Sequence, residues 1–76
     1  MMTLPLDDFR ILLIPGLRAW RNGHDADIVC DWPQQAIVIL KDGKEAFRFT
    51  FDELYSGAYK TEFRPRMLAA FGRAPP

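Results

Sequence analysis

The residues with the greatest chemical potential lie together in the stretch "HDADIVCD", residues 24–31. It contains an imidazole, a thiol and three carboxylates, all of them metal-binding groups: His24, Asp25, Asp27, Cys30 and Asp31. In an alternating strand, Asp27 and Asp31 point away from Cys30. His24 is the single histidine of the chain, and Cys30 is its single cysteine. We therefore interpret this stretch as an acidic turn that leads into a strand, and we predict no metal and no cofactor.

Motifs for catalysis are also absent from the sequence. Ser56 and Cys30 do not occur in a nucleophile-elbow or redox context. The five glycines are scattered, so no phosphate-binding loop is formed. Asp52 and Glu53 are explained by the preference of acidic residues for the start of a helix. A chain of 76 residues also has little room for a substrate cleft. The sequence predicts no catalytic residues and a protein that is not an enzyme.

Nucleic-acid binding is the competing function. Ten basic and ten acidic residues cancel, so no overall field attracts the chain to nucleic acid or to an anionic membrane. Phe47, Phe49 and Phe51 could stack on bases, but in a strand they point away from Arg48, which favours a core role. If the chain does bind nucleic acid, we expect the basic hairpin end and the C-terminal helix to do so, through Lys41, Lys44, Arg64, Arg66 and Arg73.

The cellular setting is predicted from the cysteine count and from the N-terminus. One cysteine allows no intramolecular disulfide and fits a reducing compartment. Asp7 and Asp8 stand where a signal peptide would carry positive charge, and the apolar run that follows is too short to span a bilayer. We expect a cytoplasmic protein without a membrane partner.

Length and periodicity predict one α+β domain over residues 1–76, with loose ends at 1–5 and 73–76. The expected elements are a three-stranded antiparallel meander (26–31, 36–41 and 44–51), an N-terminal helical segment and two short C-terminal helices. The C-terminal helices are expected to begin at Asp52 as N-cap and at Pro65 as first helical residue.

The N-terminal segment, residues 6–14, has two interpretations. Leu6, Phe9 and Leu13 share one helical face, and Pro15–Gly16 predicts a firm stop. The run "FRILLI" is, however, as short and apolar as a buried strand. We expect a helix.

The stretch "AIVILKDGKEAFRFTF", residues 36–51, predicts a hairpin around Asp42–Gly43, a pair that suits a two-residue type I′ turn. Such a turn places Val38 opposite Phe47 and Ile37 opposite Arg48. One face then collects the expected core residues: Ala36, Val38, Leu40, Phe47, Phe49 and Phe51.

The opposite face of this predicted hairpin would hold Ile37 and Ile39, with Val29 beside them. Leaving two isoleucines in water forgoes about 3–5 kcal/mol, so something should cover them. The cover is either the apolar N-terminal segment or a partner that docks inside a polar rim. Trp32 is expected in the core, whereas Trp20 is expected to be exposed.

The function predicted from this face is binding of another macromolecule by a small non-enzymatic interaction, inhibitor or assembly factor. The partner would be a protein or a second copy of the chain, which would make a homodimer. The expected partner-binding residues are Ile37, Ile39, Arg48, Lys41, Lys44 and Trp20. The alternatives are the nucleic-acid accessory protein described above and a structural subunit of a larger assembly.

Overall fold

The computed structural model describes residues 6–72, and the predicted loose ends at 1–5 and 73–76 lie outside this range. The elements in chain order are α1 (Leu6–Trp20), β1 (Ala26–Asp31), β2 (Ala36–Lys41), β3 (Lys44–Thr50), α2 (Phe51–Ser56) and α3 (Tyr59–Phe71). The strands form one antiparallel sheet in the order β1-β2-β3. The predicted α+β architecture is confirmed.

The two strand connections are tight turns. Between β1 and β2, the backbone N–H of Gln35 donates to the carbonyl of Trp32 at 3.1 Å, and Gln35 adopts a φ of 49°. Between β2 and β3, Asp42 and Gly43 have φ values of 52° and 83°, as the predicted type I′ turn requires. The position of the hairpin tip is therefore confirmed.

The predicted register of this hairpin holds near the turn and then fails. Leu40 pairs with Glu45, as expected, but Ile39 pairs with Phe47, so Ala46 is an extra residue in β3. Such a β-bulge moves every later residue of the strand by one position relative to its partner.

The bulge places the large apolar side chains of β2 and β3 on the same face. Ile37 pairs with Phe49, and Ile39 with Phe47, whereas Val38 pairs with Arg48. Ile37, Ile39 and Phe49 each have 0% of their surface exposed. The prediction that the two isoleucines lie on the face opposite the phenylalanines is wrong.

The helices α1, α2 and α3 cover this apolar face, so the domain has two layers. The buried cluster draws on all three helices and all three strands: Phe9, Leu13, Leu17, Ile28, Ile37, Ile39, Phe49, Leu54, Met67 and Phe71. The expected cover from the N-terminal segment is thus present. The C-terminal helices pack on the same face, because there is one apolar face and not two.

Helix α1 is longer than the sequence predicts, since it continues through Pro15 to Trp20. A proline inside a helix costs about 3 kcal/mol. Beyond it, Leu17 is buried and Trp20 packs against the core, and burial of large side chains offsets such a cost at roughly 1.5–3 kcal/mol each. Gly16 lets α1 approach α3, because a Cβ atom at this position would lie 2.8 Å from Cε2 of Phe63.

The start of α2 also differs from the prediction. The N-cap is Thr50 and not Asp52. The Thr50 hydroxyl accepts a hydrogen bond from the backbone N–H of Glu53 at 3.2 Å. In return, the Glu53 carboxylate accepts one from the backbone N–H of Thr50 at 3.0 Å. This reciprocal capping box satisfies two backbone donors where a single cap satisfies one. Gly57, with a φ of 86°, ends the helix. Helix α3 then begins at Tyr59, well before Pro65.

Within residues 6–72, no helix combines the length and the hydropathy that a membrane crossing needs.

Candidate interaction surface

One side of the sheet is covered by no helix within residues 6–72. We call it the open face, and the strand pairing assigns nine residues to it: Asp27, Val29, Asp31, Ala36, Val38, Leu40, Glu45, Arg48 and Thr50. None of them belongs to the buried cluster, although Ala36 and Val38 are only 1% and 5% exposed. Val29 is 40% exposed, although the prediction placed it beside the isoleucines, and it pairs with Val38.

Arg48 organises the open face. Its Nε and Nη2 atoms donate to the two carboxylate oxygens of Glu45 at 2.9 and 2.7 Å, and its Nη1 donates to Asp31 at 3.2 Å. Asp31 lies on β1 and Arg48 on β3, so the arginine side chain must cross β2 between them. It crosses at Val38, its pairing partner, which explains why this valine is only 5% exposed.

The bulge at Ala46 is a condition for this network. Residues three apart on a regular strand point to opposite faces. The extra residue between them brings Glu45 and Arg48 to the same side of the sheet. The same local irregularity therefore builds the apolar core on one face and the ion-pair network on the other.

The charges of this network stabilise one another. The hydrogen bond from Arg48 is the main reason that the pKa of Glu45 is lowered from its usual value of 4.5. In the same way, the hydrogen bond to Glu45 raises the pKa of Arg48. Both groups are therefore charged at neutral pH, and the open face presents a fixed pattern of one positive and three negative side chains.

The two tryptophans exchange their predicted positions. Trp32 is 56% exposed at the first position of the β1–β2 turn, next to Asp31 of the open face. Trp20 instead packs against the core, and the guanidinium of Arg64 lies 5.1 Å from the centre of its ring. The turn begins after Asp31, so the alternation that predicted a core position for Trp32 ends one residue earlier.

The edges of the sheet are occupied by two arginines from the helix layer. On β1, the backbone carbonyl of Ile28 accepts a hydrogen bond from Arg10 at 2.9 Å. The backbone N–H of Ile28 donates to the carboxylate of Asp27 at 2.7 Å. On β3, the carbonyl of Arg48 accepts from Arg66 at 2.9 Å. Unpaired backbone groups of an edge strand are the usual template for pairing with another chain. Here three of these groups already have partners: both backbone groups of Ile28 and the carbonyl of Arg48.

The predicted partner-binding residues do not form one surface. Ile37 and Ile39 lie in the core, where a partner cannot contact them. Lys41 donates to the carbonyl of Ala70 at 2.8 Å and lies over the ring of Phe71, so it belongs to the end of α3. Arg48 alone of the set lies on the open face.

The basic residues assigned to nucleic-acid binding are also separated. Lys41 and Lys44 line a shallow depression whose other lining residues include two acidic ones, Asp42 and Glu45. Two others have partners in the helix layer and at the sheet edge: Arg64 stacks on Trp20, and Arg66 forms an ion pair with Glu53. Arg73 lies outside the described residues.

The stretch considered for metal binding forms β1 and the two residues before it, which contact the tip of the hairpin. Nδ1 of His24 lies 3.3 Å from the carboxylate of Asp42, which also accepts from the backbone N–H of Asp25 at 3.2 Å. No group of three or more metal-binding side chains occurs among residues 6–72. The contacts of Asp42 fix the start of β1 to the hairpin tip.

Sequence reasoning missed the exposure of Trp32 and the bulge at Ala46, and a signal for the bulge was present. A single extra residue in β3 unites Ile37, Ile39, Phe47 and Phe49 on one face, whereas a regular hairpin divides them. Because burial of large apolar side chains is the main favourable term in folding, the irregular hairpin was the better choice.

The chain matches no family model, no curated protein and no solved structure. Its function has to follow from the geometry of its own residues.

Proposed function

We propose that the chain is a small, non-enzymatic cytoplasmic protein that binds another protein through the open face and the adjoining Trp32. The observation that carries this proposal is the combination of Trp32, 56% exposed, with the Arg48 network and the exposed Val29 on the uncovered side of the sheet. Tryptophan and arginine are the residues most enriched among those that dominate binding energy.

The alternative mode for a sheet protein is addition of a strand at an edge. That mode needs free backbone donors and acceptors. Both backbone groups of Ile28 and the carbonyl of Arg48 are engaged by Arg10, Asp27 and Arg66. Docking onto the face leaves these bonds intact, so it is the favoured mode.

The Arg48 network supports binding because it is already ordered. Fixing a long side chain on association costs about 0.5–1.5 kcal/mol. Asp31 and Glu45 hold the guanidinium of Arg48 in place before any partner arrives. The plane of the guanidinium can then stack against an aromatic ring, or its rim can meet a polar partner group.

The decisive experiment is affinity capture from an extract of the native host at moderate salt, with nuclease treatment. Wild type is compared with Val29→Asp and Trp32→Ser, which alter the proposed surface. Leu68→Ser is the matched control, because Leu68 is 48% exposed on α3, away from the open face. We expect the same protein to be captured by wild type and by the control, and lost from both surface variants.

Circular dichroism of each variant shows that the loss is not caused by unfolding. Capture that survives both surface substitutions would contradict the proposal. Capture that disappears with nuclease, or that weakens steeply as salt rises, would favour the nucleic-acid alternative, because phosphate contacts are strongly salt-dependent.

A further inference from the structure

The outer edge of β1 pairs with no other strand among residues 6–72. In an antiparallel ladder, successive residues turn their backbone groups alternately towards the neighbouring strand and away from it. The backbone groups of Ile28 point away from β2, because its carbonyl accepts from Nε of Arg10 at 2.9 Å and its N–H donates to Asp27 at 2.7 Å. The alternation then directs the backbone groups of Ala26 and Cys30 to the same outer edge.

These three outward residues make β1 complementary to a second copy of itself. Ala26 and Cys30 lie two positions before and after Ile28, so the edge is symmetric about Ile28. Two copies aligned antiparallel would place Ile28 opposite Ile28, and Ala26 of each copy opposite Cys30 of the other. Such a contact uses the same surface on both copies, so it closes as a dimer with one six-stranded sheet.

The other edge of the sheet, formed by β3, is a poorer template for pairing. The extra residue Ala46 interrupts its register, whereas β1 pairs with β2 without a shift. Bulges at an edge discourage pairing with another chain. In addition, Arg66 of α3 donates to the carbonyl of Arg48. The regular edge of β1 is therefore the one at which protection matters.

Arg10 and Asp27 occupy the centre of the β1 edge. An added strand lies about 4.8 Å from its neighbour, so it needs the space and the acceptor that the guanidinium of Arg10 uses. It also needs the N–H of Ile28, which donates to Asp27. Both charged side chains would lose these bonds and part of their hydration before the new strand formed its own bonds.

We propose that Arg10 and Asp27 prevent β1 from pairing with β1 of a second copy of this chain. The two side chains act from opposite sides of one residue: the cation closes the acceptor of Ile28 and the carboxylate closes its donor. This inference goes beyond the proposed function and does not rest on it.

Sedimentation velocity of a double variant, Arg10→Met with Asp27→Ala, tests the proposal. The variant loses both hydrogen bonds to Ile28, and it keeps the net charge of wild type because one cation and one carboxylate are removed together. We expect wild type to dimerise with a Kd of about 1 mM or weaker. Each single substitution should lower this Kd about 10-fold, and the double variant should lower it about 100-fold.

The matched control removes the same charges from neighbouring positions. Arg18 lines the same crevice between α1 and β1 as Arg10, and Asp25 stands immediately before β1. The bonds to Ile28 come from Arg10 and Asp27, not from these two side chains. Arg18→Met combined with Asp25→Ala should therefore sediment like wild type.

Hydrogen exchange of the Ile28 amide, measured by NMR, shows whether the new dimer forms along β1. In the monomeric double variant this N–H has lost its acceptor, so it should exchange quickly. In the dimer it donates to the other copy, and its exchange should slow at least about 10-fold as concentration rises. The matched control should show no such dependence on concentration.

A double variant that remains monomeric at about 1 mM with the wild-type circular dichroism spectrum overturns the proposal. A dimer whose Ile28 amide stays unprotected also overturns it, because the interface then lies elsewhere, and so does wild type that already pairs along β1. If the double variant unfolds, the two single variants decide by the same criteria. Capture of a partner by the open face is tested separately, through Val29 and Trp32, and none of these outcomes changes it.

Discussion

The two faces of the sheet are built from the same strands and have opposite characters. The covered face contains Ile37, Ile39 and Phe49 without exposed surface, and three helices pack on it. The open face carries an arginine that spans three strands to reach Asp31, with a valine shielded beneath it. Packed apolar side chains make up the first face, and a network of charged side chains occupies the second.

The difference between the two faces depends on one extra residue in β3, Ala46. Without the extra Ala46, Glu45 and Arg48 would point to opposite sides, and the isoleucines would lose contact with the phenylalanines. The bulge therefore makes the covered face cohesive and leaves the open face polar. A polar face with few exposed apolar side chains can remain in water without aggregating, yet can still accept a partner.

The largest expected effect is the difference in stability between two variants, one with a new carboxylate on the covered face and one with a new carboxylate on the open face. Ile39→Asp should unfold the protein, because an unpaired buried charge costs several kcal/mol in a domain whose total stability is about 5–10 kcal/mol. Val29→Asp, at a 40% exposed position, should change the unfolding free energy by less than about 1 kcal/mol. Urea denaturation followed by circular dichroism measures both.

A folded Ile39→Asp protein would show that the two faces are less different than the structure indicates. An Ile39→Val variant serves as the conservative control, and we expect it to lose only about 0.5–1.5 kcal/mol.

The next effect concerns the packing of the helices above the covered face. Gly16→Ala adds a methyl group that would lie 2.8 Å from Cε2 of Phe63, whose ring stacks on Phe49 at 6.3 Å between centroids. We expect a net loss of about 1–2 kcal/mol in thermal or urea unfolding, although alanine is the better helix former.

Phe63→Leu provides the control, because a smaller side chain makes room for the methyl group. In the double variant the cost of Gly16→Ala should largely disappear, which a double-mutant cycle measures as coupling. Equal costs in both backgrounds would mean that α1 and α3 do not meet at this point.

A smaller effect is expected where the chain leaves the sheet and enters the helix layer. Thr50→Ala removes the hydroxyl that accepts from the N–H of Glu53 and should cost about 1 kcal/mol. Thr61→Ala is the matched control, since its hydroxyl donates to the carbonyl of Ala58, just before α3, and accepts from no backbone N–H of a helix start. Thermal unfolding of the two variants should rank them in that order, and the reverse order would contradict the capping box.

The smallest expected effect is the loss of stability at low pH through two ion pairs, Glu53–Arg66 beside the helix layer and Glu45–Arg48 on the open face. The hydrogen bond from Arg66, followed by the bond from the Thr50 backbone, lowers the pKa of Glu53 from its usual 4.5. A lowered pKa means that the ionised form stabilises the fold above about pH 4.5, and that this contribution is lost as pH falls towards the lowered value. Glu53→Gln should therefore flatten the acid limb of the stability profile.

Glu45→Gln on the open face should flatten the same limb less. Its pKa is also lowered, mainly by Arg48, but its side chain is 46% exposed against 24% for Glu53, so water and salt screen it more. Denaturation midpoints measured from pH 7 to pH 3 test the order. A larger effect at Glu45 would show that the open-face network is the stronger one.

Much of the fold could be predicted from local signals. Asp42–Gly43 fixed the hairpin tip through positive φ angles, and alternation fixed the bounds of β1. The proposed site could not be predicted in the same way, because the two faces depend on which residues pair beyond the tip. The alternation of buried and exposed residues in β1 predicted a core position for Trp32, but the strand ends at Asp31. Trp20 was predicted at the surface, because the sequence does not show that Arg64 lies over its ring.

The sequence by itself determined the order of helices and strands and the position of the tight turns, because these depend on interactions between near neighbours. Tertiary structure decided two things: the bulge at Ala46 and the passage of α1 through Pro15. Each of these sacrifices a local preference for burial of large side chains contributed by distant parts of the chain. That gain exists only when the elements have come together, so no short stretch of sequence reveals it.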